Sequence, residues 1–127
     1  MSIVPTYVTF EQAKLLKEKG FDVECTYHYG LVNNHISIGS DIPGTNWNKR
    51  IEDHMDEVEL FSRPEEWQVV EWLRVKYGIW IYCKEEQKNK WLYFYYNGVG
   101  YTSSSKIFNT PQEAYSAAFD YILKEIL

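Results

Sequence analysis

The sequence predicts an α+β fold, an antiparallel sheet of about five strands with two to three helices packed on it. Three observations lead there. Residues 21–29 alternate apolar and polar side chains without a break, the pattern of a half-buried strand. Residues 79–83 (Ile-Trp-Ile-Tyr-Cys) and 91–96 (Trp-Leu-Tyr-Phe-Tyr-Tyr) are two aromatic runs separated by a charged turn, residues 84–90. Hydroxyl-capped segments of helical period stand near both ends of the sequence. Strands joined by short connections pair antiparallel, and helices then collect on a face of the sheet.

In sequence order, Thr9 through Gln12 form a capping box, with the hydroxyl as N-cap and Gln12 as the third helical residue. The helix it opens, residues 10–19, places Phe10, Ala13 and Leu16 on one face and stops at Gly20. In the strand that follows, Phe21, Val23, Cys25, Tyr27 and Tyr29 face one way and Asp22, Glu24, Thr26 and His28 the other. Residues 30–34 have turn chemistry, and residues 35–38 return as a short strand. Residues 39–62 have the weakest pattern: 41–46 is a loop by composition, and 48–60 is a short acidic helix or irregular.

Pro64 at a first helical position, with Glu65 and Glu66 at the positive end of the dipole, predicts a helix ending at Gly78. Its buried stripe reads Trp67, Val70, Leu73 and Tyr77, widened by Val69 and Trp72. After the aromatic hairpin, Asn97-Gly98 marks a tight turn and residues 99–108 a third strand. Thr110, Pro111 and Glu113 then announce the last helix, with Ala114, Ala118 and Ile122 along one side. Residues 64–127 thus run helix, strand, strand, strand, helix. With 127 residues and no repeats, a single domain, 1–127, is expected, with a soft boundary at 39–62.

The net charge of −5 disfavours nonspecific adhesion to nucleic acid or membrane. Between Asp41 and Glu71 nine acids oppose three bases, so the middle of the sequence holds the whole excess. Cys25 and Cys83 lack CxxC spacing and read as free thiols in a reducing compartment. The first residues lack the pattern of a signal peptide, and no apolar run reaches the ~20 residues of a membrane span, which leads us to expect a cytoplasmic protein.

No spacing nominates an enzyme. Cys25, His28, His35 and His54 have no metal-ligand spacing, and Cys25 and His28 would point to opposite faces of their strand. Ser103-Ser104-Ser105-Lys106 lacks a nucleophile elbow or a phosphate loop and reads as a polar strand edge. No catalytic residue, metal or cofactor is expected. The better candidate is an aromatic sheet face made of Trp80, Tyr82, Trp91, Tyr93 and Tyr95, with Ile79, Ile81, Cys83, Leu92, Phe94 and Tyr96 on the other side. A second candidate is an acidic partner surface made of Glu52, Asp53, Asp56, Glu57 and Glu59.

Three blocks, residues 9–21 (Thr-Phe-Glu-Gln-Ala-Lys-Leu-Leu-Lys-Glu-Lys-Gly-Phe), 64–75 (Pro-Glu-Glu-Trp-Gln-Val-Val-Glu-Trp-Leu-Arg-Val) and 111–121 (Pro-Gln-Glu-Ala-Tyr-Ser-Ala-Ala-Phe-Asp-Tyr), resemble small uncharacterised proteins of gut Bacteroidales phages, crAss-like phages among them. The resemblance implies a phage or prophage setting and therefore a host-cell cytoplasm, but no activity. The element order of residues 64–127 is similar to that of double-stranded-RNA-binding domains. Phe108, Thr110, Glu113, Ala114 and Ala117 resemble the strand-to-helix junction of AP2 DNA-binding domains. The last helix starts Pro111-Gln112-Glu113 where the RNA-binding family has lysines, so that likeness is one of topology. The expectation is a non-catalytic phage accessory protein that binds a host or phage protein. The alternative is a nucleic-acid or nucleotide binder using the aromatic face; a DNA mimic or an enzyme without a recognisable motif ranks third. A homodimer covering the aromatic face is a further expectation.

Overall fold

A computed structural model describes residues 6–39, 44–49 and 58–127. The fold is α+β. Among the described residues, six strands form two separate three-stranded antiparallel sheets, accompanied by three α-helices. The strands are thus divided between two sheets and not joined in one, because the protein forms two compact units, Tyr7–Glu65 and Glu66–Leu127 together with Met1–Thr6. The described residues of the expected soft boundary, 39, 44–49 and 58–62, fall inside the first unit. Both cysteines are free thiols.

In the unit Tyr7–Glu65, helix α1 (Phe10–Glu18) begins at the expected capping box. Thr9 Oγ1 accepts the Gln12 N–H at 3.1 Å, and Gln12 Oε1 accepts the Thr9 N–H at 3.0 Å. Gly20 ends the helix at a φ of 84°, which lets Phe21 N–H turn back to the Leu16 carbonyl. Ala13 and Leu16 are buried, and the Phe10 ring meets Tyr29 and Phe61 edge-on.

The sheet has the order β2-β1-β3, from β1 (Tyr27–Val32), β2 (His35–Gly39) and β3 (Glu59–Arg63). Three local expectations are corrected here. Strand β1 starts only at Tyr27, after a bend at Thr26, and His28, Tyr29 and Gly30 are all buried, so both of its faces are covered. The turn is the residue pair Asn33-Asn34, both at positive φ, while Gly30 lies within the strand. Residues 59–60, placed in the acidic helix or irregular stretch, belong to a strand, because the Leu60, Phe61 and Ser62 positions pair with β1.

A 3-10 turn, Trp47–Lys49, closes the far side of this sheet. The Trp47 indole is 1 % exposed; its Nε1 donates to the Cys25 carbonyl at 3.1 Å and its ring lies 4.1 Å from His28. Asn48 links the segment to its neighbours, donating to the Phe21 carbonyl and accepting the Ser62 N–H. Gly39 is required here, since a Cβ at that position would lie 2.7 Å from His28 Nε2.

In the unit Glu66–Leu127, helix α2 (Glu66–Tyr77) starts two residues later than Pro64 suggested. It buries Glu66, Val69, Trp72 and Leu73. The buried stripe is therefore rotated from the expected one: Trp67 is 62 % exposed and Tyr77 lies near the surface. This helix is apolar on more than one side, and its period alone did not select the face. The second sheet, β4-β5-β6, comprises β4 (Trp80–Gln87), β5 (Lys90–Tyr96) and β6 (Tyr101–Ser103). The third strand is shorter than residues 99–108, though Phe108 pairs with Trp91 at an isolated bridge.

Helix α3 (Pro111–Tyr121) has Thr110 as N-cap, accepting the Glu113 N–H at 3.1 Å. The Glu113 carboxylate reaches the Asn109 N–H, one residue before the cap, in place of the expected box partner. Ala114, Ala118 and Phe119 are fully buried, and a π turn, Ile122–Ile126, adds Ile122 and Leu123 to the core.

Candidate binding face

The register of the β4-β5 hairpin decides which aromatics stand together. Trp80 faces Tyr96, Ile81 faces Tyr95, Tyr82 faces Phe94, Cys83 faces Tyr93, Lys84 faces Leu92 and Glu85 faces Trp91. Directly opposed residues project to the same face of an antiparallel pair. Trp80 and Tyr82 therefore share a face with Phe94 and Tyr96, joined across β6 by Tyr101. Tyr93 and Tyr95 lie on the other face with Ile81 and Cys83. The expected set of Trp80, Tyr82, Trp91, Tyr93 and Tyr95 is divided between the two sides.

A β-bulge is the reason. The hairpin turns at Lys88-Asn89, with Asn89 at a φ of 61° and Gln87 opposite Lys90. From that pair an unbroken register would set Cys83 opposite Phe94 and Tyr82 opposite Tyr95, which is the sequence-derived arrangement. The ladder instead shifts between Glu85 and Gln87, leaving Glu86 as one extra residue. One residue of slip moves every side chain beyond it to the opposite face. Deleting Glu86 should accordingly cost less than about 1 kcal/mol, because the shortened strand runs unbroken from Gln87 opposite Lys90 to Glu85 opposite Trp91 and keeps Ile81 and Tyr95 in the core. Glu86→Ala, which keeps the residue count, should melt close to the parent. A deletion that melts far below the parent would refute Glu86 as the extra residue of the ladder.

One face of this sheet is filled. Tyr95 and Ile81 are buried, Cys83 Sγ lies 3.9 Å from the Pro111 carbonyl, and the Tyr95 and Tyr121 rings are 6.0 Å apart. A hydrogen bond with Tyr95 raises the Tyr121 hydroxyl above its ordinary range. Cys83, Glu66 and Tyr115 cluster under the helix. Burial pushes the Cys83 thiol up to about 12 and Glu66 up to about 7, the nearby Glu66 carboxylate adding to the effect on Cys83. A thiol so displaced is a poor nucleophile, so this cluster does not make a reactive cysteine.

The opposite face is open. Trp80 is 52 % exposed, Tyr82 42 % and Tyr101 71 %. Tyr82 stacks on Phe94 with centroids 5.0 Å apart and planes at 10°, Tyr101 meets Tyr82 edge-on, and Tyr96 lies 4.8 Å from Tyr101. The Arg74 guanidinium sits 5.1 Å over the Trp80 ring while its NH2 group holds Glu71 at 2.8 Å. That hydrogen bond keeps the Glu71 carboxyl below its usual range and Arg74 above its own. The aromatic rings thus support one another from three strands, with one cation held at the margin.

The remaining predicted residues stand apart from this face. Glu52, Asp53, Asp56 and Glu57 of the acidic surface lie outside the described residues; Glu59 opens β3, where Lys17 Nζ reaches it at 3.3 Å. Trp91 is half-buried, bridged through its backbone to Phe108. Ser104 is buried and structural: its Oγ accepts the Tyr93 N–H and donates to the Lys106 carbonyl. Beside it a groove of about 350 Å³ runs between Tyr93, Lys106, Phe108, Asp120 and Tyr121. His28, expected at the surface, is buried against Trp47. Among the described residues no group of three or more His, Cys, Asp or Glu side chains is placed to hold a metal, and no helix is long and apolar enough to cross a membrane.

Sequence reasoning found Trp80 and Tyr82 and missed Arg74, Phe94, Tyr96 and Tyr101 as their companions. The class of molecule is an α+β protein with one sheet open on an aromatic face. No family model matches the sequence, and no match was found among curated proteins or solved structures.

Proposed function

We propose that this protein is a non-catalytic binding protein whose contact surface is the open face carrying Trp80, Tyr82, Phe94, Tyr96, Tyr101 and Arg74, and that its partner is a protein. The carrying observation is that α3 fills one side of the β4-β5-β6 sheet while three large aromatics on the other remain exposed. Trp, Tyr and Arg are the residues that dominate protein contact energetics, since they offer broad rigid area with a polar tip. The net charge of −5 counts against a phosphate polymer as the partner. The phage or prophage setting, with a host or phage protein as the target, rests on the resemblance of the three sequence blocks.

The test is to select peptides against the folded protein and map them by amide and indole NMR shifts. Expected are shifts centred on Trp80, Tyr82 and Tyr101, and an affinity loss of about 30-fold for Trp80→Ala, the size of a ~2 kcal/mol contact. Ligands that map elsewhere overturn this reading. Salt-dependent binding of single-stranded oligonucleotides on the same residues, tighter than any peptide, would favour the nucleic-acid alternative. Light scattering on the same samples reads self-association through the face.

A further inference from the structure

The structure assigns Asn97-Gly98 as a site of spontaneous asparagine-to-isoaspartate conversion, placed where it alters the open aromatic face. Asn97 is the one asparagine of the sequence followed by glycine. The turn of residues 97–100 is exposed throughout, Gly98 has a φ of 92°, and nothing lies within 4 Å of where its Cβ would be. With no side chain on Gly98, approach of its backbone nitrogen to the Asn97 amide is sterically free. The Asn97 Oδ1 already accepts the Val99 N–H at 3.1 Å and the Gly100 N–H at 3.3 Å, which draws electron density from Cγ and makes it a better electrophile.

In the first step the Gly98 nitrogen attacks Asn97 Cγ and forms a new N–Cγ bond. The bond from Cγ to Nδ2 of Asn97 breaks, and that nitrogen leaves as ammonia carrying the proton lost by Gly98. Solvent water then adds to one of the two carbonyls of the cyclic imide. Opening at Cγ gives aspartate; opening at the backbone carbonyl gives isoaspartate, with the Cβ methylene now in the main chain. Nothing is oxidised or reduced.

The consequence is set by position. This turn joins Tyr96 to Tyr101, which are paired across β5 and β6 with rings 4.8 Å apart on the open face. Either product adds a carboxylate beside that pair, and the isoaspartyl form also lengthens the turn between them. The inference stands whatever the face binds.

Ageing the folded protein at mildly alkaline pH, followed by peptide mapping and isoaspartyl methyltransferase labelling, tests the assignment. The amide-to-acid mass shift and the label are expected on the peptide carrying residue 97 ahead of that carrying Asn89, which occupies an exposed turn but precedes Lys90. Both signals should disappear in Asn97→Gln, where the extra methylene disfavours ring closure. The separated isoaspartyl fraction should show an altered tyrosine near-ultraviolet dichroism relative to Asn97→Asp, which has the charge without the added backbone atom. Conversion at residue 97 no faster than at Asn89 overturns the site, and an isoaspartyl spectrum identical to that of Asn97→Asp overturns its effect on the face.

Discussion

Trp47→Ala should destabilise the protein by about 3–5 kcal/mol, the usual range for emptying an aromatic site in a core. Trp47 is 1 % exposed, packs with Cys25, Leu60 and Val58, and lies against His28. Its Nε1 also donates to the Cys25 carbonyl, which accepts the Thr45 N–H as well, so truncation both opens a void and removes one of that acceptor's two hydrogen bonds. Small domains have about 5–15 kcal/mol in total, so the loss is a large fraction of what holds the protein folded. Trp47→Phe separates the two contributions. It keeps most of the ring and loses the donor, so roughly 1–3 kcal/mol is expected for the lost hydrogen bond and the smaller volume. Urea unfolding followed by far-ultraviolet dichroism measures both. A change under about 1 kcal/mol for Trp47→Ala would mean that the 3-10 turn is not part of the core.

The second large effect is a pH dependence from Glu66. This carboxyl opens α2, is 9 % exposed, and burial pushes its pKa up from 4.5 to about 7. The helix dipole favours the ionised form there by about 0.3–1 kcal/mol, which is too little to offset the desolvation that dominates. Below pH 4.5 the group is protonated in both folded and unfolded states and its contribution is fully retained. As pH rises from 4.5 towards 7, the unfolded state ionises first, so stability falls, and it levels off once the folded carboxyl has also ionised. The expected loss between about pH 5 and about pH 8 is on the order of 2–3 kcal/mol. Glu66→Gln should flatten that part of the profile while keeping the shape of the side chain. Parallel profiles for parent and variant would show that Glu66 ionises freely in the folded protein.

The features legible in the order of residues are local ones. Thr9 with Gln12, and Thr110 with Glu113, are fixed by a few adjacent residues, so the N-caps of α1 and α3 stand where the spacing placed them. Gly20 and Gly78 end their helices in the left-handed region for the same reason. The antiparallel α+β class followed from alternation and short connections. Trp80 and Tyr82 stood out because a water-facing strand does not ordinarily carry them.

The sequence by itself therefore determined the fold class, the N-caps of α1 and α3, the helix stops at Gly20 and Gly78, and the presence of an aromatic surplus in residues 79–96. Tertiary structure decided the rest, because each remaining question depends on partners distant in sequence. Pairing with β1 made residues 59–63 a strand, though their local composition favours none. Contact with Cys25 and His28 buried Trp47, which directly follows the loop expected at residues 41–46. The single extra residue at Glu86 chose which aromatics face outward, and α3 covered those that do not. Side-chain alternation is visible in any strand, but the offset between two strands is a property of the pair.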